Sequence, residues 1–386
     1  MRIIDVCPFY SPAGGGVRTY VHQKLKAAAA MGHEMIVLVP GVRHDVEEVD
    51  GGVIASIAGP RLPFDRRYGY FDDEEAVHRF LDAWAPDVVE ASSPWASAAM
   101  VGRWPGAAIR SLVMHADPMS AYAYRWFGRI ASLSTIDRGF SRFWRHLRAL
   151  DSRMDMVVSA SPDLSRRLVD GGLRRVVTVP MGVQSGLFSP SLRDEGLRAE
   201  LLRRCALPPS GLLLLGAGRY SPEKRWPMVI DAAVAAGVRH AVGLVLVGDG
   251  RSRRSLEGRA AGSPHVVVGG PIGERRTLAR MLASADALVH GCEAETFCMV
   301  GAEAVASGLP VVAPDRGGAA DHVREPYGRR YRAADPVALR DAILDTAASL
   351  TTGRPVPMAA VRTEREHFEA LFGAYASRRQ TGRLAA

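Results

Sequence analysis

Short aliphatic and β-branched runs alternate with helical stretches along this chain, and that alternation restricts its fold more than any other feature. In the first half the strand candidates are Arg2 to Cys7, Glu34 to Val39, Val88 to Ala91, Ile109 to His115 and Met156 to Ser159, with a helical stretch from Arg18 to Met31 after the first. A second series opens with Leu212 to Gly216 and continues through Val242 to Gly248, His265 to Gly269, Ala287 to His290 and Leu309 to Ala313. Alternation of this kind predicts α/β architecture, a parallel sheet covered by helices, formed twice. Val179 to Pro209, between the two series, holds Pro180, Gly182, Gly186, Pro190, Pro208 and Pro209 and reads as a connecting segment with one short helix inside it. At 386 residues the chain is long enough for two such domains, each with its own interior. Ligands of open parallel sheets bind beyond the carboxyl ends of the strands, so the chemistry is expected on post-strand loops, with the two domains facing a central cleft.

Composition narrows the partners. No apolar run approaches the roughly 18 residues of a spanning helix. The opening residues lead into a strand and lack the pattern of a secretory leader, so a cytoplasmic location is expected. Cys7, Cys205, Cys292 and Cys298 are scattered without metal-type spacing, which points to reduced thiols and to no structural metal. The net charge of +8 favours anionic partners: nucleotide diphosphates, anionic lipid surfaces or nucleic acid. With no nucleic-acid motif and 7% aromatic residues, nucleic acid is not expected among them.

Three post-strand stretches carry candidate chemistry. Pro8 to Val17 includes Gly14, Gly15 and Gly16 ahead of a helix, which suits either a flexible turn or close approach of backbone N–H groups to a phosphate. The stretch is neither GxGxxG nor a P-loop. Gly216 to Arg225 places Arg219 and Lys224 on one loop, either a solvated basic turn or a pair that neutralises a departing diphosphate, the task a metal performs elsewhere. His290 to Gly308 carries Glu295 and Glu303. With a helix from Phe297 onward the two carboxylates fall near enough in angle to serve one ligand through its hydroxyls, and the alternative is a capping acid plus an exposed glutamate.

Taken together, P-F-Y-S-P-x-G-G-G, G-R-x-x-x-E-K, L-V-G-D-G and E-T-F-C-M-V-G-A-E-A-V-A-S-G-L-P-V-V-A, in this order over nearly the whole chain, resemble the GT4 family of retaining glycosyltransferases. The resemblance implies a GT-B fold of two Rossmann-like domains: residues 1–185 on the acceptor side, a linker region over 186–208, a donor domain over 209–358, and a closing segment over 359–386 whose helix, Arg362 to Arg378, crosses back to the first domain. It implies a nucleotide-sugar donor, GDP-mannose or a UDP-sugar, a hydroxyl acceptor of unknown identity, no cofactor and no metal. By the same resemblance Glu303 holds the donor ribose, and Glu295 with the backbone of Phe297, Cys298 and Met299 holds the sugar. Arg219 and Lys224 take the diphosphate. Gly15 and Gly16 close over the phosphates, His115 lies near the sugar, Gly317 and Gly318 contact the donor through their backbone, and the Gly269 to Ile272 loop, with Gly270, Pro271 and Ile272, packs against the base.

This sequence departs from the family pattern at Cys298, where glycine is frequent, and at Gln184, where aspartate is frequent. Asp72 and Asp73 read as solvated surface rather than a metal-binding pair. Alternatives on the same fold are an epimerase or hydrolase of nucleotide sugars and a non-catalytic nucleotide-sugar-binding protein.

One further segment stands apart. Trp126, Ile130, Leu133, Ile136, Phe140, Trp144 and Leu147 recur at helical spacing, and Arg125, Arg129, Arg138, Arg142, Arg145 and Arg148 accompany them against the single acid Asp137. Such a stripe packs on a core or lies at an anionic membrane surface, which would place the enzyme peripherally on the inner face of the membrane. Gly128 and Gly139 argue for a break within it.

Overall fold

Arg2–Val6 (β1), the first apolar run, becomes a central strand in the computed structural model, which describes residues 1–12, 16–62, 68–127, 130–351 and 360–384. Around it lie Glu34–Gly41 (β2), Asp45–Val49 (β3), Gly52–Ala58 (β4), Val88–Ala91 (β5), Ile109–Met114 (β6), Met156–Ser159 (β7) and Val176–Thr178 (β8), in the order β3-β4-β2-β1-β5-β6-β7-β8. Every pairing is parallel except β3 with β4. Strands β5 and β7 are buried along their whole length, as apolar runs covered on both faces should be. Edge strand β3, DVEEV, is exposed and acidic, which discourages edge-to-edge association.

The second sheet contains Leu212–Ala217 (β9), Val242–Val247 (β10), Val266–Val268 (β11), Ala287–Val289 (β12), Val311–Pro314 (β13) and Arg329–Tyr331 (β14), ordered β11-β10-β9-β12-β13-β14 and wholly parallel. In both sheets the winding reverses beside the first strand: β1 lies between β2 and β5, and β9 between β10 and β12. The loops leaving such a pair diverge and open a crevice at their carboxyl ends.

The chain divides into two units at Pro180 and Met181. The stretch expected as a linker, 186–208, belongs to the second unit, because Arg198 of the helix Glu195–Arg204 grips Asp286 at 2.7 and 3.0 Å and the Gly211 carbonyl at 2.8 Å. Asp117–Ile130 also groups with the second unit. The closing helix runs from Glu364 to Leu384 and groups with the first unit from Arg365. There Phe368, Leu371, Phe372 and Tyr375 are buried, and Tyr375 donates to Glu90 Oε2 at 2.6 Å.

Two local expectations resolve simply. Asp73 caps the helix Glu74–Trp84 by accepting from the Ala76 amide at 2.8 Å, an ordinary N-cap. The stripe from Trp126 to Leu147 is not one helix: separate helices cover Leu133–Gly139 and Ser141–Asp151 and meet at Phe140, while Trp126 and Ile130 are exposed. Trp144, Leu147 and Leu150 pack inward, and Arg138, Arg142, Arg145 and Arg148 face out.

Candidate active site

The reversal between β9 and β12 sets two loops side by side in the second unit. After β9, Pro222–Lys224 forms a short turn that carries Lys224. After β12, the chain passes through His290 and Glu295 before the helix Met299–Ala306. Lys224 Nζ bonds Glu295 Oε1, and His290 Nε2 lies 3.1 Å from the same oxygen. Burial disfavours the charge on each partner of the ion pair, but their mutual attraction outweighs it: the ammonium is held above its usual range and the carboxyl well below its own. His290 is fully buried, which lowers its basicity despite Glu295, and its Nδ1 finds no partner among the described residues.

Glu303 is paired with a different cation from Glu295. The helix begins at Met299 rather than Phe297, and Cys298 before it takes a left-handed conformation at φ 70°. That turn redirects the chain between the two acids, so each meets a different cation. Glu303 is 2% exposed and accepts from Arg275 Nη2 at 2.7 Å. The left-handed turn also gives a physical reason for glycine at this position, since glycine adopts it without cost.

The loop after β13 closes against the same region. A Cβ on Gly317 would stand 2.3 Å from the Glu293 carbonyl oxygen, and one on Gly318 would stand 2.6 Å from Phe297 Cα, so only glycine permits this approach. The Gly318 amide donates to the Glu295 carbonyl at 2.7 Å. Beneath, Glu293 accepts from Arg225 at 2.8 Å and from Arg316 at 3.4 Å, joining all three post-strand loops. The loop holding Gly270, Pro271 and Ile272 follows β11 and is tied to the β9 loop by Tyr220, whose hydroxyl donates to the Gly269 carbonyl at 2.7 Å. Arg219 stands apart from this packed set: its side chain is 80% exposed and 3.6 Å from Glu223.

In the first unit, Gly16 opens the helix Gly16–Ala30 beyond the carboxyl end of β1, and Gly15 lies outside the described residues. His115 follows β6 with its ring 5.1 Å from that of Tyr20, edge to face. Removal from water holds His115 down at about 4, so it is neutral at physiological pH. Below it lies a cluster that the motifs did not reveal. Lys24 is fully buried between Asp5 at 3.2 Å and Glu90 at 2.5 Å, with Ser92 on Asp5 and Tyr375 on Glu90. Burial, with one cation for two carboxylates, pushes Asp5 up to about 6. The available signal was an acid among the apolar residues of each of two strands, RIIDV and VVEA.

Among the described residues one group has metal-ligating character, His290, Cys292 and Glu295, with ligand atoms within 4.8 Å of one another. Its carboxylate already carries the Lys224 ammonium. A cavity of about 380 Å³ lies at the other end of the second sheet, lined by Gly211, Asp286 and Leu309 just ahead of β9, β12 and β13.

The glycosyltransferase family 4 model matches residues 14–186, and the model for glycosyl transferases group 1 matches residues 211–349. A GDP-mannose-dependent alpha-(1-6)-phosphatidylinositol dimannoside mannosyltransferase of Mycobacterium tuberculosis is 30% identical over 81% of this chain and 79% of its own. A GDP-mannose-dependent alpha-mannosyltransferase of the same organism is 31% identical over 83% and 81%. Among solved structures, sucrose-phosphate synthase from Thermosynechococcus elongatus superposes with a TM-score of 0.69 at 22% identity, over 100% of this chain and 98% of that one. The chain is a family 4 glycosyltransferase.

As a glycosyltransferase of GT-B fold it is an enzyme that uses a nucleotide sugar, which sets aside the reading as a non-catalytic binding protein. Of the residues selected from the sequence of this glycosyltransferase, the second unit brings Lys224, Glu295, Phe297, Cys298, Gly317 and Gly318 together. Glu303 sits about one turn along the adjoining helix with Arg275, a partner the sequence did not suggest.

Proposed function

We propose that this glycosyltransferase moves a hexose from a nucleotide diphosphate sugar to an acceptor hydroxyl, with retention at the anomeric carbon and without a metal ion. The observation that carries the proposal is the partly buried Lys224–Glu295 pair at the winding reversal of the second sheet. A fixed ammonium there supplies the charge that a divalent cation supplies in other transferases, in surroundings where it acts strongly. Arg219, exposed on the same loop, adds a guanidinium suited to a phosphate.

In this scheme the bond from the anomeric carbon to the phosphate oxygen breaks as the bond to the acceptor oxygen forms on the same face of the sugar. The acceptor proton passes to the departing phosphate. Lys224 and Arg219 stabilise the charge on that diphosphate, Glu303 accepts from the ribose hydroxyls, and Glu295 with the backbone of Phe297 to Met299 orients the sugar. Gly317, Gly318 and the loop of Gly270, Pro271 and Ile272 contact the donor. The first unit contributes neutral His115 and the helix that opens at Gly16. No covalent nucleophile is required, and no cofactor enters the scheme; positioning and charge stabilisation carry the rate.

Several relatives named as GDP-mannose-dependent mannosyltransferases favour GDP-mannose as the donor, and the phosphatidylinositol dimannoside enzyme among them favours a lipid-linked acceptor. The helices Leu133–Gly139 and Ser141–Asp151 support the lipid reading. Their one acid, before Asp151 at the end, is Asp137, and it accepts from Trp144 Nε1 at 3.0 Å, which leaves an outward face dominated by Arg138, Arg142, Arg145 and Arg148. That face suits an anionic lipid surface.

A thermal-shift screen with GDP, UDP and ADP tests the donor, since a ligand that binds only the native state raises its stability by an amount set by concentration over Kd. GDP is expected to stand out, and turnover of GDP-mannose should yield an α-linked product. A larger shift with UDP or ADP would overturn the donor, and a β-linked product would overturn retention.

A further inference from the structure

Glu303 lies on the helix Met299–Ala306 with almost no exposure, and its Oε1 is held by Arg275 from the amino end of the helix Arg275–Ser284. Arg275 is about half exposed, yet its guanidinium is located: it stands 5.1 Å from the centre of the Phe188 ring, within cation–π range. A carboxylate accepts from two hydroxyls at once only while ionised, and on protonation one oxygen becomes a donor. Burial raises the affinity of Glu303 for a proton, and Arg275 is the cation that opposes this.

The remaining surroundings add little charge. No other residue of the helix, MVGAEAVA, titrates in this range, and β13, VVAP, has no titratable group. On the turn Ala320–His322, His322 bonds the Phe297 carbonyl at 2.7 Å and is held neutral, lowered to about 4 by burial; Asp321 on that turn is not among the groups that shift Glu303. On Arg275's own helix, Arg280 is engaged by Asp194 and Arg276 is exposed.

We propose that Arg275, seated on Phe188, is a positioning residue for the donor: it keeps Glu303 ionised and aimed, so that the ribose of the nucleotide finds a pair of acceptors. The proposal rests on the reading of Glu303 as the ribose-binding acid. Arg275 acts through Glu303 and on donor affinity, not on bond breaking.

The test titrates the full chain calorimetrically with whichever of GDP, UDP and ADP binds it, at about pH 6 and about pH 8.5. Arg275→Gln should weaken binding about tenfold at the lower pH, the scale of losing a hydrogen bond to a charged group, and regain most of it at the higher pH, where Glu303 ionises unaided. Arg275→Lys, which keeps the charge, should bind almost normally, and turnover by Arg275→Gln at saturating donor should stay within about twofold of the unaltered enzyme. Equal or tighter binding by Arg275→Gln, or the same loss at both pH values, overturns the proposal. Glu303→Gln separates the two levels: unchanged affinity in that variant removes the ribose reading itself, whereas weakened binding there with normal binding by Arg275→Gln removes Arg275 alone.

Discussion

At the scale of single residues, the candidate donor site is held by pairs drawn from distant parts of the chain. Lys224 and Glu295 are 71 residues apart, and Arg275 and Glu303 are 28 apart. Lys224→Ala removes the ammonium and leaves the Glu295 carboxylate with His290 as its side-chain partner among the described residues. Turnover should fall by about two to three orders of magnitude, the size of effect seen when a preorganised electrostatic group is lost. A chelator in the same assay should leave the unaltered enzyme's rate where it was. Near-normal turnover by the variant, or a requirement for added magnesium or manganese, would remove the metal-independent mechanism. The residue types were legible in the sequence, since acids and bases on post-strand loops are where such sheets bind ligands. Which cation meets which acid was not, because the spacing of Glu295 and Glu303 describes a helix that begins only at Met299.

At the scale of elements, the closing helix Glu364–Leu384 is a working part of the first unit's interior. Its Tyr375 satisfies one oxygen of Glu90 while Lys24 satisfies the other, in a cluster without access to water. Tyr375→Phe keeps the ring packing and strips the hydroxyl, leaving a buried carboxylate oxygen short of a partner. The expected cost is about 1–3 kcal/mol of stability, read as a lower denaturation midpoint, with turnover at saturating substrates little changed. An unchanged midpoint would mean that water replaces the hydroxyl. The apolar positions of this helix were readable, but not where they pack. Two of the edge strands were unreadable for a different reason. Segment β14, RRY, and segment β3, DVEEV, lack the apolar content that marks a strand, and they pair only because a completed neighbour offers them an edge.

At the scale of the whole molecule, the net charge of +8 has a local expression in the outward arginines of the helices Leu133–Gly139 and Ser141–Asp151. Each basic residue near an anionic membrane is worth about 1 kcal/mol, so changing Arg138, Arg142 and Arg145 together to glutamine should weaken liposome binding by about 100-fold. Co-sedimentation should require anionic lipid and weaken with salt, as screening dictates. Equal recovery on neutral and anionic vesicles would remove the membrane from this account. Trp144, Leu147 and Leu150 pack inward and are unaltered in the variant, so the fold should hold.

The sequence by itself determined two parallel sheets, the post-strand loops that hold the candidate site and the family to which the chain belongs, because strand and helix periodicity and loop motifs are local properties of a chain. Only the tertiary structure decided that Lys24 is buried between two carboxylates, that the segment expected as a linker completes the second unit, and that Glu295 and Glu303 answer to different cations. Those facts follow from strand order and the packing of loops. Strand order sets which distant side chains meet with reduced access to water, and there an unpaired charge is costly enough to select its partner.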